Sequence, residues 1–238
     1  MDLSIIVPCY NETQGLANLA SRLGEFELAF KGDYELVLVD DGSKDNTFDL
    51  IKTTFCDTPR RKVKAIKHDK NKGIGGAVRT GLENASSEYV ATMDSDCTYR
   101  PVHLTEMLDI IKKEGADIIT ASPYHPKGRV EGVPPNRLVL SKGLSVIYSV
   151  LLRQRIYTYT SMFRIYRVSM LDKVRFNSDG FLSQAEVLIK ALKRGYKVIE
   201  YPATLSRRQY GVSSAKVAKV IKEHLRFIWR LVFDSKSV

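Results

Sequence analysis

Two carboxylates one residue apart, Asp94 and Asp96, follow the apolar run Tyr89-Val90-Ala91-Thr92-Met93. A buried strand ending in such a pair concentrates negative charge at the mouth of a sheet, where like charges repel unless a cation intervenes. Their hard oxygens suit Mg²⁺ or Mn²⁺, above all when phosphates complete the ligand set. Taken alone, an Asp-x-Asp pair is more often a solvated turn than a cation site, so its meaning depends on the elements that position it.

Those elements alternate. Residues 3–8 form a short apolar strand stopped by Pro8, and Asn11 is placed to cap a helix carrying Leu16, Leu19, Leu23, Phe26 and Phe30 at helical spacing. Residues 34–39 form a second strand, closed by Asp40-Asp41-Gly42-Ser43, and Asp45-Asn46-Thr47 offers a cap for a helix through Ile51 and Phe55. A third strand covers residues 64–68. The glycine-rich Asn71-Lys72-Gly73-Ile74-Gly75-Gly76-Ala77 then runs into a helix through Val78 and Leu82, and the strand ending at Asp94 follows. Four strand–helix alternations predict an α/β chain with a parallel, doubly wound sheet. In such sheets ligands bind outside the carboxyl ends of the strands, where Pro8, Asp41, Gly73 and Asp94 all fall. The glycine loop has neither the G-x-G-x-x-G of a dinucleotide site nor the Gly-Lys-Ser/Thr of a P-loop, which argues against a dehydrogenase or an ATPase.

Beyond Pro101 the pattern predicts a helix to Glu114, a strand over 117–121, a loop over 123–136 and an apolar helix with basic ends over 137–155. A strand at 163–167, a helix at 183–193 and a strand at 198–201 follow. An amphipathic helix over 213–233 closes the chain, with Val217, Val220, Ile221, Leu225, Ile228 and Leu231 in one stripe and Lys216, Lys219, Lys222, Arg226 and Arg230 off it. The regular pattern on both sides of the 123–136 loop makes residues 1–238 one domain.

The net charge of +10 is unevenly placed. Residues 1–122 hold 15 Lys/Arg against 20 Asp/Glu, and residues 123–238 hold 22 against 7. The second half therefore faces an anionic partner. No nucleic-acid motif or aromatic stacking platform accompanies the charge, so an anionic membrane surface is favoured over nucleic acid. Cys9, Cys56 and Cys97 are odd in number and scattered, which suits a reducing compartment. The chain enters a strand at Leu3, unlike a leader peptide, and no apolar run reaches the ~18 residues of a membrane span. The expectation is a cytoplasmic protein, peripherally attached to the cytoplasmic face of a membrane.

In order, Pro8-Cys9-Tyr10-Asn11-Glu12, Val39-Asp40-Asp41-Gly42-Ser43, Asn71-Lys72-Gly73 and Met93-Asp94-Ser95-Asp96 resemble the motifs of family-2 glycosyltransferases of the GT-A fold. Glu186 and Arg208-Gln209-Tyr210-Gly211-Val212-Ser213 narrow the resemblance to the dolichyl-phosphate mannose synthase-like branch. It extends from residue 3 to about residue 233. It implies a Rossmann-like, mostly parallel sheet and inverting transfer of a sugar from a GDP- or UDP-linked donor to a polyprenyl or dolichyl phosphate, with mannose from GDP-mannose as the best single expectation. Residues 1–122 would form the nucleotide-sugar half and 123–238 the acceptor and membrane-facing half. Pro8, Tyr10, Glu12, Val39 and Asp41 would hold base and ribose, with Lys72 and Ser95 also on the donor. Asp96, helped by Asp94 and Thr98, would hold Mg²⁺ or Mn²⁺. Arg208 would reach the diphosphate, and Arg137 with Ser141 the acceptor phosphate.

The chemistry agrees. Breaking the anomeric bond leaves added charge on the diphosphate, which a cation and a guanidinium stabilise. A phosphate acceptor is already anionic and needs no general base, whereas a hydroxyl acceptor does; Glu186 is followed by Val187 rather than by the Asp that serves hydroxyl acceptors in many relatives. Three positions depart from the pattern. Thr98 stands for a glutamine, Pro123 for an arginine and Ser214 for a lysine, with Arg129, Arg207 and Lys216 as candidate replacements. Transfer to a hydroxyl acceptor and a non-catalytic sugar-nucleotide-binding module are the alternative readings.

Overall fold

The computed structural model describes residues 1–211 and 217–233. Its elements are β1 (Leu3–Cys9), α1 (Leu16–Ala29), β2 (Tyr34–Asp40), α2 (Thr47–Thr54), β3 (Arg61–Lys67), α3 (Gly73–Asn84), β4 (Tyr89–Thr92), α4 (His103–Glu114) and β5 (Ile118–Ser122). They continue with β6 (Arg129–Glu131), α5 (Pro135–Leu152), β7 (Arg164–Arg167), α6 (Val168–Leu171), α7 (Leu182–Lys193), β8 (Val198–Pro202), β9 (Thr204–Ser206) and α8 (Val217–Phe233). Seven strands form one sheet in the order β3-β2-β1-β4-β7-β5-β8. All pairings are parallel except those of β7, which lies antiparallel between β4 and β5.

Period-2 alternation sorts β1 between two layers. Leu3, Ile5 and Val7 pack with Leu16, Leu19, Leu23 and Phe26 of α1 and with Leu104, Met107 and Leu108 of α4. Ile6 turns to the other face, with Val37, Val39 and Ala77. A third cluster joins α5, α7 and α8 through Tyr148, Leu188 and Phe227. Both faces of the central strands are thus covered, which is why they read as continuous apolar runs.

Several expectations are corrected. Pro8 does not end the first strand: β1 runs to Cys9, with Pro8 paired to Val39 of β2. The pairing of β1 with β4 stops at Ile6 and Thr92, so a missing N–H at Pro8 breaks no ladder. Asn11 caps no helix. It adopts a left-handed conformation (φ 54°), accepts a hydrogen bond from the Lys44 N–H at 2.9 Å and donates its own N–H to Ser43, tying the first two loops together. The 123–136 loop contains β6, which pairs in parallel with β9. The terminal stripe is also divided. His224 and Phe227 are buried, Ile228 and Leu231 pack on the core, and Val217, Ile221 and Leu225 are exposed beside Trp229, Val232 and Phe233. Residues 213–216 of that expected helix, Ser214 and Lys216 among them, lie outside the described residues.

Candidate active site

Four loops leave the carboxyl edge of the sheet side by side, following β1, β2, β3 and β4. Together with Pro8 near the end of β1 and Gly73 at the start of α3, they bring Tyr10 and Glu12, then Asp41, then Asn71, then Asp94, Ser95, Asp96 and Thr98 to one cavity of about 870 Å³. Arg137 and Ser141 of α5 and Arg208, past β9, complete it. Eleven of the thirteen residues expected at the site therefore meet in one place, among them Pro8, Tyr10, Glu12, Asp41, Asp94, Ser95, Asp96, Thr98, Arg137, Ser141 and Arg208. The other two do not line it. Val39 is fully buried in the core beneath, and Lys72 is exposed but gives its backbone N–H to Asp41 Oδ1 at 2.8 Å.

Asp41 follows the last residue of β2, whose partner on β3 is Lys67, so the next residue of that chain, His68, arrives beside it. His68 Nδ1 lies 2.7 Å from Asp41 Oδ1, and His68 Nε2 lies 2.9 Å from Thr80 Oγ1 on α3. Gly42 takes φ +70°, and a Cβ there would come within 2.6 Å of the Lys70 backbone; glycine lets the third loop close against the second. Gly73 has the same function at the start of α3, where φ is +81° and a Cβ would collide with the Asp179 carbonyl. That Asp179 segment is held by Glu186. Its carboxylate accepts the Asn177 N–H at 3.1 Å and the Ser178 N–H at 2.9 Å, and pairs with Lys190 at 2.7 Å. Burial alone would raise the pKa of Glu186, but Lys190 and Ser178 hold it below the ordinary value. Glu186 thus shapes the wall carrying Gly180 and Phe181 instead of facing the cavity.

The charge pattern centres on Arg208. Its Nη2 sits 2.6 Å from Glu12 Oε1, its Nη1 3.7 Å from Asp96 Oδ2, and its Nε donates to the Tyr210 carbonyl at 2.5 Å. Burial pushes the Glu12 carboxyl up, partly offset by Arg208, and leaves Oε2 with no hydrogen-bond partner. Asp96 Oδ1 accepts the Thr98 N–H at 3.1 Å, which turns the loop. The Ser206 N–H donates to the Thr98 carbonyl at 2.9 Å, fastening this turn to β9. Burial and then the Asp96 charge raise the pKa of Asp94. A carboxylate pressed toward its neutral form, beside a second carboxylate, is stabilised as an anion by a cation, and the oxygen-only donors fit a hard divalent ion. Among the described residues no three or more His, Cys, Asp or Glu side chains cluster to enclose one.

Sequence reasoning missed His68, which stands behind Asp41, and five residues that line the cavity: Gly180 and Phe181, and Lys219, Val220 and Glu223 of α8. The signal for His68 lay in register, one residue past a strand neighbouring that of Asp41. Of the replacements for the departures, Arg207 lines the cavity; Arg129 is exposed on β6 and does not, and Pro123 is buried away from it.

A GT-A glycosyltransferase architecture is what this sheet and its loops define, and the comparisons agree. The sequence profile described as glycosyl transferase family 2 matches residues 4–175, and the chain belongs to that family. It is 35% identical over 235 residues to the dolichol-phosphate mannosyltransferase of Pyrococcus furiosus, covering 98% of this chain and 64% of the relative. It is 31% identical over 215 residues to the polyprenol monophosphomannose synthase of Mycolicibacterium smegmatis, covering 88% and 79%. The chain thus spans just under two thirds of the archaeal relative's length. Glucosyl-3-phosphoglycerate synthase from Mycobacterium tuberculosis, solved with Mn²⁺, UDP and glucosyl-3-phosphoglycerate, shares the fold with a TM-score of 0.70 at 16% identity over 98% of this chain and 79% of that one. Staphylococcus aureus TarS 1-349 with UDP-GlcNAc shares it at 0.60 and 21%, over 96% and 65%.

Proposed function

We propose that the chain is an inverting glycosyltransferase moving a sugar from a nucleoside diphosphate to a polyprenyl phosphate at the cytoplasmic face of a membrane, with mannose from GDP-mannose the leading donor. The observation that carries this reading is one cavity lined by Asp94, Asp96 and Arg208 together with Arg137 and Ser141. The names of the two relatives, a dolichol-phosphate mannosyltransferase and a polyprenol monophosphomannose synthase, support the acceptor class.

Residues 1–122 supply most of the donor half. Asp41 and Tyr10 take the nucleoside, and Asp94, Asp96 and Thr98 hold Mg²⁺ or Mn²⁺. A bound divalent cation adds positive charge beside the departing diphosphate. Arg208 adds a guanidinium there, and a planar fork suits phosphate oxygens. Glu12 anchors Arg208 through the 2.6 Å pair, so that its aim is set before substrate arrives. On the acceptor side Arg137 and Ser141 hold the lipid phosphate; Ser141 Oγ is fixed by Thr160 Oγ1 at 2.6 Å. A phosphate oxygen attacks the anomeric carbon opposite the diphosphate, the bond to the diphosphate breaks, and its electron pair leaves with the nucleotide. No proton moves, so no base is needed. Val187, where a base would stand beside Glu186, is buried in the core.

The acceptor side also supports membrane contact. On α5, Val139, Val146, Ile147, Val150 and Leu151 are exposed, next to exposed Lys142, Arg153 and Arg155. On α8 the exposed apolar stripe adjoins Lys219, Lys222, Arg226 and Arg230. The exposed apolar stripes with their basic neighbours fit an interfacial seat, and among the described residues no helix is long and apolar enough to cross a bilayer. The test is a panel of labelled nucleotide sugars with Mg²⁺ or Mn²⁺, offered a short polyprenyl phosphate and a sugar hydroxyl in parallel. Label in a mild-acid-labile lipid phosphate is expected. Label only on the hydroxyl, or nucleotide binding without transfer, would overturn the reading.

A further inference from the structure

The buried imidazole beside Asp41 is unused by the chemistry above. His68 is 4% exposed and Asp41 3%, on adjacent strand ends. Two donors meet on one carboxylate oxygen: His68 Nδ1 at 2.7 Å and the Lys72 N–H at 2.8 Å both reach Oδ1. A carboxylate only accepts, so Nδ1 carries the proton, and Thr80 Oγ1 at 2.9 Å from Nε2 fixes the ring from its far side. Thr80 sits on α3, whose first residues line the same cavity, so the Asp41–His68–Thr80 chain spans β2, β3 and α3.

We infer that His68 is a positioning residue for nucleoside recognition: it clamps Asp41 Oδ1 so that Oδ2 is presented to a ribose hydroxyl or a base N–H of the donor. This rests on the reading of Asp41 as a nucleoside ligand. The physical reason is rotational. A carboxylate on a loop turns freely about χ2, and two donors on one oxygen remove that freedom before the ligand arrives, so less entropy is lost on binding. His68 touches neither the sugar nor the diphosphate in this scheme. Its loss weakens nucleoside binding and leaves the diphosphate end alone.

The experiment measures Mg²⁺-dependent binding of GDP, UDP and inorganic pyrophosphate to the full chain and to D41A, H68L, H68N, H68Q and T80V. Asparagine places an amide nitrogen near the position of Nδ1, toward Asp41, whereas glutamine places it near Nε2, toward Thr80. H68L and H68Q are expected to weaken the preferred nucleoside diphosphate about tenfold to a hundredfold, the range of a lost hydrogen bond to a charged group. H68N recovers to within about threefold and T80V falls in between, while pyrophosphate binding stays within about twofold for all of them. A purely structural His68 would weaken pyrophosphate as much as nucleotide, or be served equally by Asn and Gln; either result overturns the inference. Should H68L fail to fold, the Asn–Gln contrast still decides. If D41A weakens nucleotide and the His68 variants do not, the clamp is wrong while Asp41 stands. If D41A itself binds nucleotide normally, the nucleoside reading of Asp41 fails and the clamp with it.

Discussion

At the carboxyl edge of β1, β2 and β4 the side chains are packed and mutually bonded: Asp41 is 3% exposed with two donors on one oxygen, and Arg208 is locked between Glu12 and Asp96. On α5, which also contributes Arg137 and Ser141 to the cavity, Val139 and Val150 stand 72% and 71% exposed among the described residues. One wall is preorganised by hydrogen bonds within the fold. The other presents apolar side chains to its surroundings. Preorganised charge is what a developing diphosphate anion requires, because dipoles and guanidinium already in place need no reorganisation during reaction. An open apolar face with a basic rim is what a ligand already anchored in a lipid surface requires. In the proposed reading the contrast ties chemistry to the sheet edge and location to the helices, and each half can be broken separately.

The largest effect is expected at Asp96. Asp96→Ala removes a partner of Arg208 and, in the proposed scheme, a cation ligand; turnover should fall on the order of a thousandfold, whereas Thr98→Ala should stay within about tenfold because water would replace a hydroxyl ligand. Steady-state rates across a Mg²⁺ and Mn²⁺ titration check this, and near-normal Asp96→Ala activity in chelator would remove the cation from the scheme. Arg208→Ala should lower kcat about a hundredfold with a smaller change in nucleotide affinity, since its partner charge grows toward the transition state. An effect confined to nucleotide affinity would make Arg208 a binding residue only.

On the helix side, replacing Lys222, Arg226 and Arg230 together with Gln, and leaving the cavity-lining Lys219 in place, should weaken binding to anionic vesicles by at least about tenfold, each basic residue near such a surface contributing on the order of 1 kcal/mol. Nucleotide binding in solution should be unchanged. Co-sedimentation at low and high salt measures it, and equal binding by the variant would show that these charges only keep the protein soluble. The smallest effect concerns how α8 docks. Tyr148 OH meets His224 Nδ1 at 2.7 Å inside the α5–α8 contact, and burial pushes His224 from 6.5 down to about 4. A histidine held neutral in the fold costs stability wherever the unfolded chain would protonate it. Stability should therefore fall as pH drops from about 6.5 to about 4, by at most about 3 kcal/mol, and His224→Gln should flatten that slope in thermal melts between those values.

The donor wall was largely legible in the sequence because each of its parts is local. An apolar run closed by Asp41, or by Asp94 and Asp96, gives both the strand and the polar tip it carries to the sheet edge. The antiparallel β7 was legible as a strand but not in its place, since residue alternation carries no pairing partner. The β6–β9 pair was hidden because Arg129–Glu131 is three residues in a stretch rich in Pro and Gly. Asn11 was misread because an asparagine before a helix suits both a cap and a left-handed turn, and contact with the Ser43 loop decided between them. The terminal stripe was read as one face since periodicity measures apolarity, not what covers it. His224 and Phe227 lie toward the core while Leu225 and Trp229 point outward, a division that only the packed partner reveals.

In the proposed reading one cavity joins a sugar nucleotide to a lipid phosphate held at a membrane surface. The most direct test of this claim supplies labelled GDP-mannose, with UDP-linked sugars in parallel, and Mg²⁺ or Mn²⁺ to the protein mixed with anionic vesicles carrying a long-chain polyprenyl phosphate. Label should enter the vesicle fraction, come off in mild acid, require the cation and diminish at high salt. Transfer that proceeds equally to a soluble hydroxyl, with no label in the lipid phosphate at any salt concentration, would contradict the claim.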